Sequence, residues 1–122
     1  MAEHNELGKK GEAEAAQFLA LKGYDILEKN WRYAKLEIDI IAQHRNKLVI
    51  IEVKARGTGI WGNPEEAVTK GKIKFLAEAT EAYLNQNNID LEVRFDIVSV
   101  LFQNDTFQID HIEEAFHPQV NS

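Results

Sequence analysis

Residues 36–54 read LEIDIIAQHRNKLVIIEVK, and this stretch decides the fold. Leu36, Ile38 and Ile40 alternate with Glu37, Asp39 and Ile41, the period of a strand whose successive side chains face opposite ways. Leu48-Val49-Ile50-Ile51 is an almost purely apolar run, as expected of a buried strand. His44-Arg45-Asn46-Lys47 separates the two by a turn, so they form an antiparallel hairpin. The second strand closes on Glu52-Val53-Lys54. A charge at the end of a buried run is costly unless a partner compensates it.

The hairpin supplies partners. It sets positions 37–39 roughly opposite 52–54, and strand geometry then groups Asp39, Glu52 and Lys54. Two carboxylates suit a hard cation such as Mg²⁺ or Mn²⁺. Phosphodiester hydrolysis needs an activated water and neutralised phosphate charge, and a lysine can orient that water or stabilise the developing charge. Glu12 completes the shell if its helix packs over the sheet edge. The same residues also fit a salt-bridge ladder on a half-exposed strand, and spacing alone favours the ladder.

Outward from the hairpin, residues 8–22 have helical spacing, with Ala15, Phe18, Leu19 and the Lys22 stem on one face and Gly23 as the stop. Residues 24–33 contain a short strand anchored by Tyr24, Ile26 and Trp31. Residues 57–62 are a glycine-punctuated loop, and Asn63-Pro64-Glu65-Glu66 reads as the capped start of a helix running to about residue 87. Val68, Phe75, Ala79 and Tyr83 form its apolar stripe. Residues 91–101 alternate as a long strand, Asn104-Asp105 turns the chain, and Thr106–Ile112 is a final strand. The order α-β-β-β-α-β-β predicts an α/β fold with a central mixed five-stranded sheet flanked by helices. We expect one domain over residues 1–122, with a core of about 8–101 and a loosely ordered tail over 113–122.

With 44% apolar residues and two prolines the chain reads as folded. It has no Cys, which excludes disulfides, thiolate metal sites and cysteine nucleophiles. The four histidines, His4, His44, His111 and His117, lack zinc spacing. No apolar run is long enough for a membrane span and the N-terminus has no signal-like core, so a cytoplasmic protein without a membrane partner is the expectation. A net charge of −6 argues against general nucleic-acid binding, yet residues 29–74 carry ten Lys or Arg against five acids. The net-basic third of the chain therefore holds the carboxylate pattern.

Gly11-Glu12, Asn30-Trp31-Arg32, Glu37-Ile38-Asp39, Glu52-Val53-Lys54-x-Arg56, Gly62-x-Pro64, Lys72 and Arg94-Phe95-Asp96 occur in the order seen in the bacterial YraN-like uncharacterised proteins. On these blocks the chain resembles that family from residue 8 to about 100. The family is similar to archaeal Holliday junction resolvases and to restriction-endonuclease-like nucleases. The resemblance implies a restriction-endonuclease-like core and a metal-dependent DNA endonuclease acting on structured or branched DNA. It implies Asp39 and Glu52 as main ligands of Mg²⁺ or Mn²⁺, with Glu12 and the Val53 backbone carbonyl beside them, and Lys54 as the catalytic lysine. It also implies a homodimer, since junction-resolving relatives need two sites. One departure stands out: the family usually has Gly before Glu-x-Asp, and here Leu36 follows Lys35.

Arg32, Lys35, Arg56, Lys70, Lys72 and Lys74 are candidates for phosphate contact, which positions a backbone without reading sequence. Lys70 and Lys74 share a helix face and Lys72 does not. Trp61 either stacks on a base or folds back as a loop anchor. Asp96 caps, or pairs with Arg94 or Lys72. Two other classes fit: a nucleic-acid-binding module of the same fold without strong catalysis, and a protein-interaction domain with a structural salt-bridge cluster.

Overall fold

The computed structural model describes residues 2–57 and 69–117, without the side chains of residues 2–5. The elements are α1 (Ala2–Leu21), β1 (Asp25–Tyr33), β2 (Leu36–His44), β3 (Lys47–Arg56), α2 (Lys70–Gln86), β4 (Glu92–Gln103) and β5 (Thr106–Phe116). They build one mixed sheet in the order β1-β2-β3-β4-β5. All neighbours are antiparallel except β3 and β4, which are parallel. A parallel pair needs a crossover, and α2 lies within it.

The expected hairpin is present. Arg45 and Asn46 both have positive φ (51° and 64°), the backbone of a tight turn matched to strand twist. Asn104 and Asp105 do the same between β4 and β5. At the end of α1 the Tyr24 amide donates to the Leu19 carbonyl and the Gly23 amide to the Ala20 carbonyl, with Gly23 at φ 92°. That is a Schellman stop, and it needs a residue free to adopt positive φ.

Both faces of the sheet are covered. Ala15 and Leu19 of α1 pack with Tyr24, Ile40, Ala42, Val49, Ile51, Val98 and Val100. Leu76, Ala79 and Tyr83 of α2 pack with Ile38, Ile41, Leu48, Ile50, Phe95 and Ile97. Coverage on both sides explains why β3 is a continuous apolar run rather than an alternating one.

Four expectations change. Thr69 caps α2, with an extended backbone (φ −75°, ψ 162°) and its hydroxyl accepting from the Lys72 amide, so the helix does not run unbroken from Pro64. Residues 58–68, including Trp61, Asn63, Pro64 and Val68, lie outside the described residues. Phe75 is not part of the apolar stripe; it is 60% exposed, and Leu76 takes its place. β2 does not alternate strictly: Leu36, Ile38 and Ile41 join the α2 layer while Ile40 joins the α1 layer. β5 extends past Ile112 to Phe116 through an irregularity at Glu114 (φ 51°), so residues 113–116, expected in the tail, pair or pack as strand. Residues 118–122 lie outside the described residues.

Gly11 fixes how closely α1 can approach. A Cβ placed there would stand 2.5 Å from the Ala55 Cβ on β3. A methyl group on that site must push the helix away, because the obstacle is attached directly to the strand backbone. Gly11→Ala should therefore lower stability by about 1–2 kcal/mol despite its better helix propensity. Chemical denaturation of Gly11→Ala, Ala55→Gly and the double variant checks this. The double variant should recover part of the loss, and additive losses would place the cost elsewhere.

Candidate functional site

The β2–β3 ladder runs from His44–Lys47 to Ile40–Ile51. Both strands continue, β2 back to Leu36 on β1 and β3 on to Arg56 on β4. The two strands thus part within the sheet. The Val53 amide, on the inner edge of that parting, donates to Asp39 Oδ2 at 2.8 Å. A carboxylate occupies the place of a ladder carbonyl.

Three carboxylates gather here. Glu12, Glu37 and Asp39 each offer an oxygen within 4.8 Å of the others, and all three are half-buried. Glu12 arrives from α1, which the Gly11–Ala55 contact holds against β3. Asn30 has positive φ (53°), and its side-chain amide donates to Glu12 Oε1 at 2.8 Å and to Glu37 Oε1 at 3.2 Å. Arg32 pairs with Glu37 at 3.4 Å, an exposed contact worth little energy.

Glu52 is on the adjoining segment of β3 and is only 4% exposed. Its Oε2 receives Lys54 Nζ at 3.4 Å and Lys72 Nζ from α2 in a closer contact. Two ammonium groups on one oxygen stabilise a charge that burial alone would disfavour. Asp39 is compensated less well. Burial and the charge of Glu52 raise its pKa to about 7, against the lowering effect of the Val53 hydrogen bond, and Glu12 adds to the rise.

Of the residues singled out in the sequence, Glu12 and Asp39 meet, and Glu52 and Lys54 meet beside them. The third carboxylate within coordinating reach is Glu37, not Glu52. Val53 engages Asp39 through its N–H. The Lys54–Glu52 pair is what a salt-bridge ladder expects, whereas Glu12 beside Asp39 is what a metal site expects. Lys72 joins the site as an ion-pair partner of Glu52. Lys35, Lys70 and Lys74 are exposed, and Arg56 ends β3 opposite Leu101. Glu37 was legible, since it shares a strand face with Asp39. Asn30 was not, because nothing in its spacing signals a bridge between two distant acids.

A second polar cluster lies at the other end of the α1 face. Asp96 is fully buried. It accepts from Arg94 at 3.0 and 2.9 Å, contacts His111 Nε2 at 2.7 Å and accepts the Glu114 amide at 3.1 Å. Burial opposes its charge, but the His111 and Arg94 hydrogen bonds outweigh burial and hold its pKa below the usual value. Arg94 also reaches the Tyr24 hydroxyl, and Lys22 Nζ reaches His111 Nδ1 at 2.8 Å. Asp96 thus pairs with Arg94 rather than Lys72, tying β4 to β5 and to the end of α1.

A five-stranded mixed sheet in this element order, with helices on both faces and acids grouped where two central strands part, defines a restriction-endonuclease-like core. The chain belongs to the uncharacterised protein family UPF0102, whose model matches residues 11–100. It is 52% identical over 120 residues to a UPF0102 protein of Phocaeicola vulgatus, covering 98% of this chain and 99% of that one. A UPF0102 protein of Bacteroides thetaiotaomicron is 51% identical over 118 residues, covering 97% and 98%. One of Flavobacterium psychrophilum is 50% identical over 117 residues, covering 96% and 98%. Among the described residues, no helix is long and apolar enough to cross a membrane.

The Asp39 environment gives a pH signature. A carboxyl whose pKa is raised on folding binds its proton more tightly in the folded state. The folded protein is then favoured below the unfolded pKa, and that advantage is lost as pH rises through about 7. Asp39→Asn removes the charge and keeps an acceptor for Val53. In metal-free buffer at pH 8 it should be more stable than wild type, on the order of 2–4 kcal/mol. Thermal melts from pH 4 to pH 9 should show the gap closing toward pH 4, and a gap independent of pH would refute the assignment.

Proposed function

We propose that this protein is a divalent-metal-dependent DNA endonuclease acting on structured or branched DNA. The observation that carries the reading is the convergence of Glu12, Glu37 and Asp39 within 4.8 Å where β2 leaves β3, with Lys54 and Lys72 held at Glu52 alongside. Clustered carboxylate oxygens are the donor chemistry of Mg²⁺ and Mn²⁺. The raised Asp39 pKa, caused by burial and then by the charges of Glu52 and Glu12, fits a carboxylate that a nearby cation would stabilise. Glu12, Glu37 and Asp39 would hold the ion, with Glu52 and the Val53 carbonyl as further candidates. When bound, the ion supplies an activated water and neutralises phosphate charge.

The chain's own groups do the rest. Lys54 orients the attacking water and stabilises charge developing on the phosphate. Lys72 holds the Glu52 carboxylate in place and adds positive charge toward the phosphate. Arg32, Lys35, Arg56, Lys70 and Lys74, with Trp61, would contact the nucleic acid around this centre. A homodimer would present two such centres, as paired incisions require. We place the protein in the cytoplasm, where DNA is its partner.

One observation favours a second reading. Glu52 is already neutralised by two lysines, which suits a nucleic-acid-binding module of the same fold, or a protein-interaction domain with a structural salt-bridge cluster.

The test compares branched, single-stranded and duplex DNA in Mg²⁺ or Mn²⁺, using wild type, Asp39→Ala and Lys54→Ala. Metal-dependent cleavage should fall at least about 100-fold in both variants. Millimolar Mg²⁺ or Mn²⁺ should raise the melting temperature of wild type more than that of Asp39→Ala. Cleavage surviving both substitutions, or no metal-induced shift in wild type, would sink the reading. Binding of DNA without cleavage in either metal would move the assignment to the binding module.

A further inference from the structure

The β1–β2 hairpin carries different chemistry on its two faces. Arg32 pairs across to Glu37, and Tyr33 pairs across to Leu36. Directly opposed residues share a face of the sheet. Arg32 and Glu37 therefore face the carboxylate cluster, while Trp31, Tyr33, Leu36 and Ile38 face the α2 layer. On β3, Leu48 and Ile50 belong to that same layer, which puts Glu52 and Lys54 on its side by alternation.

On this face the aromatic rings form a ladder. Tyr83 of α2 is buried and meets Trp31 edge to face, with centroids 5.1 Å apart at 82°. Trp31 is half-buried and lies parallel to Tyr33, with centroids 6.3 Å apart at 8°. Tyr33 is 38% exposed and ends β1. The inner two rungs are anchored in the core, and the outer rung faces solvent. Arg32, one residue before, faces the other side of the sheet and pairs with Glu37, but Lys35 beyond the turn is exposed, and Lys54 and Lys72 lie on the α2 side with Tyr33. A flat ring backed by Trp31 and open to solvent, with lysines on its own side of the sheet, has the chemistry of a base-stacking platform.

We propose that Tyr33 stacks against an unpaired nucleobase, extending the Tyr83–Trp31–Tyr33 ladder by one rung. The site then prefers nucleic acid with bases released from pairing over plain duplex. A base inside a duplex keeps both faces covered by its neighbours and cannot lie on the ring. A base at a bulge, branch or single strand can, with Lys35 beside its phosphates. This names the substrate class of the proposed nuclease and rests on that reading, but stacking needs no metal and no cleavage.

The test is therefore metal-free binding, by fluorescence anisotropy in EDTA. The probes are a labelled single-stranded oligonucleotide, a perfect duplex and the same duplex with a three-nucleotide bulge. Wild type should bind the single strand and the bulge more tightly than the duplex. Tyr33→Leu keeps apolar bulk and loses the π face. It should weaken single-strand and bulge binding between about fivefold and a hundredfold, and leave duplex binding within about twofold. Tyr33→Phe should match wild type. A melting curve on each variant separates lost binding from lost fold, and the Phe variant carries the test if Leu is not tolerated: loss of binding in folded Tyr33→Phe would overturn stacking. Equal losses on all three probes, no loss with Tyr33→Leu, or no binding by wild type would also overturn it. A Tyr33 effect without metal-dependent cleavage would retain the platform and reject the nuclease.

Discussion

The parting of β2 from β3 after Ile40 and Ile51 is the constraint on which the site depends. A strand that leaves its neighbour strands a backbone donor, and a buried donor must find a partner. Here the Val53 amide finds the Asp39 carboxylate, not a carbonyl. One substitution of acceptor has several consequences. It fixes Asp39 in a half-buried setting and turns a sheet irregularity into a polar notch. It also coincides with the break in alternation between Ile38 and Ile41, where β2 changes which layer its side chains serve.

The two helices serve the notch from opposite sides. α1 reaches β3 only because Gly11 lacks a side chain, and that approach delivers Glu12. α2 crosses the other face and delivers Lys72 to Glu52. The acids Glu12, Glu37 and Asp39 gather on the side that α1 approaches, and Lys54 and Lys72 meet Glu52 on the side of α2, near enough for Glu52 and Lys72 to act on the Asp39 charge. Removing either lysine would leave a buried carboxylate with less compensation, a costly state. The cation pair is thus part of what lets β3 end in Glu-Val-Lys after a purely apolar run.

Much of this was legible in the sequence because it depends on local rules. Alternation found the strands, Arg45-Asn46 marked the hairpin, Gly23 marked the end of α1, and the hairpin brought Asp39 near Glu52. The misses are non-local. Alternation assumes an unbroken strand, so it misplaced Ile41. Helical periodicity gave Phe75 to the core, but the orientation of α2 on the sheet exposes it. Glu37 and Glu52 were equally acidic in sequence. In the structure Lys54 and Lys72, the latter from twenty residues on, engage Glu52, while Glu37 meets Glu12. His111 gave no signal because its partner, Asp96, lies on a neighbouring strand.

Asp39 and Asp96 show how the same side chain on strands of one sheet can be given opposite tasks. Both are removed from water, and burial raises the pKa of each. Asp96 answers burial with two bonds from Arg94, a contact with His111 and the Glu114 amide, and its carboxylate is held ionised. Its requirements are met inside the chain, so it acts as a clamp between β4, β5 and α1. Asp39 has the Val53 amide, and its acidic neighbours Glu12 and Glu52 push its pKa upward. Lys72 and the Val53 amide offset only part of that rise. The two aspartates thus differ in what surrounds them: Asp96 is ringed by donors, while Asp39 sits among carboxylates with one backbone donor, and that imbalance is the feature on which the proposed cation site rests.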